Sequence, residues 1–69
     1  MTKISARIIE LRKEKDLTKT ALGEAIGVSD VSIGYWESGR SEPNASNIVA
    51  LADFFDVSAD YLLGRTDDY

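Results

Sequence analysis

Thr18-Lys19-Thr20-Ala21-Leu22-Gly23-Glu24-Ala25-Ile26-Gly27-Val28-Ser29-Asp30-Val31-Ser32-Ile33-Gly34-Tyr35-Trp36-Glu37-Ser38-Gly39 is the stretch that decides how this 69-residue chain folds. Leu22 and Ile26 stand four apart, which is helical spacing. Thr18, just ahead of them, can lend its hydroxyl to the free N–H groups of a first helical turn. Gly27 stops that helix, because glycine takes the left-handed cap conformation at little cost. Ser29 repeats the cap for a second helix. There Ile33, Trp36 and the position of Glu37 share one face, and Gly39 ends the run. Gly23 leaves space at the midpoint of the first helix for a crossing helix. The stretch reads as two short helices joined by the tight turn Gly27-Val28-Ser29.

The same periodicity extends outward in both directions. Ile4, Ile8 and Leu11 recur at i, i+4, i+7 and predict a helix from about Lys3 to about Lys15. Arg40-Ser41-Glu42-Pro43-Asn44, with the only proline, reads as a turn. Asn44 can cap a fourth helix bearing Ile48, Leu51, Ala52 and Phe55. Ser58 can cap a short fifth helix with Tyr61, Leu62 and Leu63, closed by Gly64. The expectation is an all-α, compact five-helix bundle forming one domain over residues 1–65, with a loose tail at 66–69. No repeat or low-complexity segment interrupts it.

Composition narrows the possibilities further. A chain this short buries only roughly 60% of its unfolded surface. It has no cysteine for a disulfide, and without cysteine or histidine the usual structural zinc site is excluded. The fold must rest on its apolar core, which 43% hydrophobic content makes feasible. Without histidine or cysteine the commonest general base and the thiol nucleophile are missing, so an enzyme is not expected, nor a cofactor or small-molecule ligand. No apolar run approaches the roughly 20 residues of a membrane span. Met1-Thr2-Lys3-Ile4-Ser5-Ala6 lacks the apolar core of a signal peptide, and the cytoplasm is the expected compartment.

The net charge of −4 speaks against a nucleic-acid partner, but its distribution weakens that argument. Residues 1–43 carry seven bases and seven acids. The whole excess lies in residues 44–69, where Arg65 stands against Asp53, Asp56, Asp60, Asp67 and Asp68. An anion-facing surface is therefore sought in the first 43 residues. There the two short helices suit a helix-turn-helix, whose second helix enters the major groove of DNA. On geometry alone a plain helical hairpin with a glycine turn fits equally.

The chain resembles the phage Cro/repressor-type (xenobiotic-response-element, XRE) helix-turn-helix family. The resemblance is carried by Arg7-Ile8-Ile9-Glu10-Leu11-Arg12-Lys13-Glu14-Lys15, Leu17-Thr18, Ala25-Ile26-Gly27-Val28-Ser29, Trp36-Glu37-Ser38-Gly39-Arg40 and Glu42-Pro43. It continues through Leu51-Ala52-Asp53-Phe54-Phe55-Asp56-Val57-Ser58 and Asp60-Tyr61-Leu62-Leu63-Gly64-Arg65. It implies a lambda-repressor-like DNA-binding domain of five helices, acting as a homodimeric transcriptional repressor on a palindromic operator. Five positions depart from the family's usual pattern: Lys19 stands where glutamine is common, Gly23 where alanine is common, and Asp30 with Val31 and Gly34 stand where larger or more polar residues are common.

Each candidate residue has a functional and a plain reading. Lys19, beside the free N–H groups of its helix, can clamp a phosphate or simply be solvated. Thr18 is a cap that brings a backbone N–H toward phosphate, and Ser29 is a cap at the corresponding place on the next helix. Asp30 suits the dipole at a helix start, and a carboxylate there can also accept from cytosine N4 while repelling phosphates. Val31 can meet a thymine methyl, Ser32 a phosphate or base, and Tyr35 a base or phosphate. Gly34 gives the helix close access to a groove. Ser38 and Arg40 match family positions that meet the sugar-phosphate backbone, and Glu42 there weakens non-specific binding. Arg12 and Glu37 both point toward one core, so they are expected to pair as a structural bridge. The resemblance implies the same bridge. Phe54, Tyr61 and Leu62 are either a homodimer patch or the completion of the monomer core.

Two readings of different class follow: a duplex-DNA-binding regulator, or a protein-interaction module of antirepressor or antitoxin-like kind that keeps the fold with weak DNA affinity. Lys19 and Arg40 favour the first. Asp30, Glu42 and the net charge favour the second.

Overall fold

The computed structural model describes residues 3–69, so the first two residues of the expected domain lie outside it. It contains five helices over the described residues: α1 (Ile4–Glu14), α2 (Lys19–Ile26), α3 (Asp30–Ser38), α4 (Ala45–Phe55) and α5 (Ala59–Leu63). Four of them start on a side chain that accepts from a free backbone N–H. Thr18 accepts from Ala21, Ser29 from Ser32, Asn44 from Asn47 and Ser58 from Tyr61. Each such cap is worth about 1 kcal/mol, which matters where α5 is barely longer than one turn. At the other ends Gly27, Gly39 and Gly64 take the left-handed conformation. α4 instead ends on Asp56 at φ 57°, and Asp16 takes φ 54° after α1. Aspartate tolerates this region through its short polar side chain. Neither position carries the glycine that marks the other helix ends.

One core joins the five apolar stripes: Ile4, Ile8 and Leu11 of α1, Leu22 of α2, Ile33 and Trp36 of α3, Leu51, Ala52 and Phe55 of α4, and Tyr61 and Leu62 of α5. α3 packs on α1 and α2, α2 also on α4, and α5 on α1 and α4. The α2–α3 pair is thus braced from behind, and its outer side is left to solvent. Gly23 sets how closely the pair folds. A Cβ placed there would stand 2.5 Å from the Val28 carbonyl oxygen, so even a methyl group requires the turn to shift.

Arg12 fixes α3 against α1. Its Nε donates to Glu37 Oε2 at 2.7 Å and its Nη2 to Glu37 Oε1 at 3.0 Å, while Nη1 donates to the Leu17 carbonyl at 2.9 Å. The two side chains are only 14% and 7% exposed. The hydrogen bond to Glu37 holds the Arg12 guanidinium above its ordinary range, against the opposing effect of burial.

Two expectations about the C-terminal part need correction. Tyr61 and Leu62 are core residues, 3% and 0% exposed, and form no surface patch; of the three dimer candidates only Phe54 reaches solvent, at 37%. The reason is that α5 is so short that its single apolar stripe is consumed by α1 and α4. Residues 66–69 are also not loose. The Tyr69 carbonyl accepts from the Ser58 N–H at 3.0 Å, and the Tyr69 ring lies 4.6 Å from that of Tyr61. Arg7 spans the seam, with its guanidinium 3.9 Å over the Tyr61 ring and Nη2 donating to Asp67 Oδ1 at 2.8 Å. The Tyr61 hydroxyl donates to Glu10 Oε2. That bond, then burial, pushes the Tyr61 phenol up to about 12.

Candidate nucleic-acid interface

The residues expected to meet DNA lie on α2, on α3 and in the turns beside them. With Ile33 and Trp36 turned into the core, the opposite side of α3 carries Asp30, Val31, Gly34, Tyr35 and Ser38, a row running the whole length of the helix. Val31 is 54% exposed and Tyr35 40%, which for an aliphatic and an aromatic side chain on a small domain leaves contact surface unused. Asp30 opens the helix, where its carboxylate meets the positive end of the dipole. Gly34 has nothing within 4 Å of where a Cβ would stand, so no packing demand explains its lack of a side chain.

The flanks are built from caps. Thr18 Oγ1 accepts from the Ala21 N–H at 3.0 Å, and exposed Lys19 is the first residue of α2. Ser29 Oγ accepts from the Ser32 N–H at 3.1 Å and donates to Ser32 Oγ at 3.2 Å, so both hydroxyls are engaged with each other and Ser32 is half-buried. At the far end Ser38 Oγ donates to the Tyr35 carbonyl at 3.1 Å. Past Gly39, at φ 82°, the chain turns back and sets the Arg40 guanidinium 4.7 Å over the Tyr35 ring. Taking Tyr35 and Arg40 one at a time misses that they touch. The available signal is their spacing of five around a helix-ending glycine.

Arg12 and Glu37 stand behind this face, not on it. Tyr61 and Leu62 lie in the core, and Phe54 lies on α4 with its ring edge-to-face on Phe55 at 5.2 Å. Among the described residues no helix is long and apolar enough to cross a membrane, and no group of three or more acidic side chains is gathered as a metal site. The arrangement offers an exposed helix with a mixed polar and apolar row, cations at both flanks, and backbone N–H groups at the start of α2. These are the elements that recognise a groove and its phosphates.

Comparison with known proteins points the same way. The sequence pattern of the helix-turn-helix family matches residues 8–62. YobD of Bacillus subtilis, an uncharacterized HTH-type transcriptional regulator, is 44% identical over 62 residues, covering 90% of this chain and 55% of that protein. Repressor protein C2 of Salmonella phage P22 is 44% identical over 57 residues, covering 83% of this chain and 26% of that protein. The chain therefore spans about half the length of the first of these relatives and about a quarter of the second. Among solved structures, the P22 c2 repressor in complex with a synthetic operator superposes with a TM-score of 0.83 at 42% identity, over 87% of this chain and 91% of that one. The N-terminal DNA-binding domain of SinR from Bacillus subtilis superposes with a TM-score of 0.82 at 29% identity, over 88% and 90%. On these grounds the chain belongs to the Cro/repressor-type (XRE) helix-turn-helix family.

Proposed function

We propose that this chain binds duplex DNA sequence-specifically and represses transcription as a homodimer on a palindromic operator, with no enzymatic activity of its own. The observation that carries the reading is the outward row of α3, Asp30, Val31, Gly34, Tyr35 and Ser38, flanked by Lys19 and Arg40. An α-helix fits the major groove, and a row of this length spans the few base edges that one helix reads. The likeness to the c2 repressor, whose solved structure holds an operator, supports it.

In this reading Lys19 and Arg40 meet phosphates, Thr18 presents the start of α2 to the backbone, and Ser29, Ser32 and Ser38 hold the ends of α3 in register. Val31 meets thymine methyl groups, Tyr35 a base edge, and Asp30 accepts from a cytosine amino group. Gly34 lets the helix approach closely. Two copies of α3 then enter successive major grooves roughly 34 Å apart. Phe54 is the dimer candidate left on the surface, and sedimentation with and without DNA tests the dimer. A monomer that fills both half-sites without cooperativity removes that part of the proposal.

The competing reading, a protein-interaction module, is favoured by exposed Asp30 and the net charge of −4. Binding selection from random duplexes separates the two. Enrichment of a two-fold symmetric sequence supports the DNA reading, and failure to enrich any sequence supports the interaction module. Asp30→Asn then tests base reading: it raises non-specific affinity while changing the preference at one base pair. An equal gain on specific and scrambled duplexes reduces Asp30 to a helix-end charge.

A further inference from the structure

The end of α3 is a helix stop of a particular kind. The Gly39 N–H donates to the Trp36 carbonyl at 3.4 Å and the Arg40 N–H to the Tyr35 carbonyl at 3.0 Å, which are the paired bonds of a Schellman motif. The motif brings the second residue past the helix onto the residue five positions earlier. Where that contact is ordinarily apolar, here it is Arg40 over the face of Tyr35, at 4.7 Å. The Tyr35 carbonyl is held further by the Ser38 hydroxyl at 3.1 Å and the Ser41 N–H at 3.3 Å. Backbone geometry therefore brings Arg40 beside Tyr35, and its side chain lies across the ring.

We infer that Tyr35 is a positioning residue for Arg40: the aromatic face holds the guanidinium in place for a backbone phosphate beside the base pair that α3 reads. This rests on the DNA reading above and adds to it. An arginine on a free stem loses side-chain entropy when it clamps a phosphate, and one already laid on a ring loses less. The planar cation can stack by one face on the ring while its edge N–H groups stay available to a phosphate. The consequence is that a substitution at Tyr35 reaches the phosphate contact, and with it binding to every sequence, not only the base preference.

The test is a double-substitution cycle on the duplex enriched from a random pool, titrated at several salt concentrations. Arg40→Ala lowers the log-log salt slope by about one unit. Tyr35→Leu, which keeps apolar bulk but removes the ring, weakens binding to enriched and scrambled duplexes alike by about 2- to 5-fold, the value of an exposed cation–aromatic contact. In the Arg40→Ala background that general loss disappears. Tyr35→Phe keeps the ring and so retains the coupling to Arg40→Ala that Tyr35→Leu loses. In the free protein the Arg40 side-chain proton resonances carry a ring-current shift that Tyr35→Leu abolishes and Tyr35→Phe retains. Strictly additive losses, or a Tyr35→Leu effect confined to one base pair with the salt slope intact, overturn the positioning role while leaving the DNA reading in place. A wild-type chain that enriches no duplex overturns the DNA reading and the positioning role together.

Discussion

Two arginine–tyrosine stacks sit in different parts of this domain. At the α1–α5 seam Arg7 covers the Tyr61 ring at 3.9 Å, and both side chains also hydrogen-bond within the molecule. Arg7 is bound to Asp67, the Tyr61 hydroxyl to Glu10, and the Tyr61 ring also meets that of Tyr69. At the end of α3 Arg40 covers the Tyr35 ring at 4.7 Å, and the ring is 40% exposed. The residue types are the same and the roles differ, because of what surrounds each pair. The seam is closed by a docked tail, while the α3 stack is carried on a turn with solvent beyond it. Residue type alone does not distinguish a structural cation from one available to a partner; the commitments of its neighbours do.

The largest effect is expected where the two regions are tied together. Arg12→Met or Glu37→Leu alone leaves a part-buried charge unpaired and costs up to about 3–5 kcal/mol, which in so small a domain approaches the whole stability. The double variant recovers much of that loss in thermal unfolding. Near-neutral and additive single variants would show that the halves are joined by the apolar core alone.

Next comes the packing of the α2–α3 pair itself. Gly23→Val drives a branched side chain into the Val28 carbonyl and costs about 1–3 kcal/mol in denaturant titration. Gly34→Ala, on the open face, should do the opposite and raise stability by up to about 1 kcal/mol through helix propensity. If Gly34 gives groove access, the stabilised variant binds the enriched duplex more weakly. A variant that is both more stable and equally tight would remove Gly34 from the interface.

The smallest effect is the pH response of the seam. The folded-state phenol of Tyr61 is raised from the ordinary 10 to about 12, so its bond to Glu10 contributes stability that is fully present below pH 10. That contribution is lost as pH rises from 10 through about 12. Tyr61→Phe should flatten this alkaline fall in stability. An unchanged fall in that variant would place no special bond at the seam.

Much of the fold is legible in the sequence because the chemistry that builds it is local. Thr18, Ser29, Asn44 and Ser58 are caps whose partners lie three residues away, and Gly27, Gly39 and Gly64 end helices within the same short range. The candidate interface is readable for the same reason, since its row lies on one helix and follows from which α3 residues are apolar. The features that sequence reading misses join residues far apart in the chain. Arg7 and Asp67 are 60 positions apart, and Glu10 and Tyr61 are 51, so no local pattern announces that the tail is pinned or that the Tyr61 ring is core. Asp56 is missed for another reason, because an aspartate in the left-handed region leaves a weaker mark than glycine.

A titration of the nitrogen-labelled chain with its enriched duplex, followed by amide resonances, decides between the two stacks at once. The largest shifts are expected on Lys19, on Asp30 through Tyr35, and on Ser38 through Arg40, with Arg7, Glu10, Asp67 and Tyr69 nearly unmoved. Large shifts along the α1–α5 seam with a quiet α3 would show instead that the partner meets the other side of the molecule.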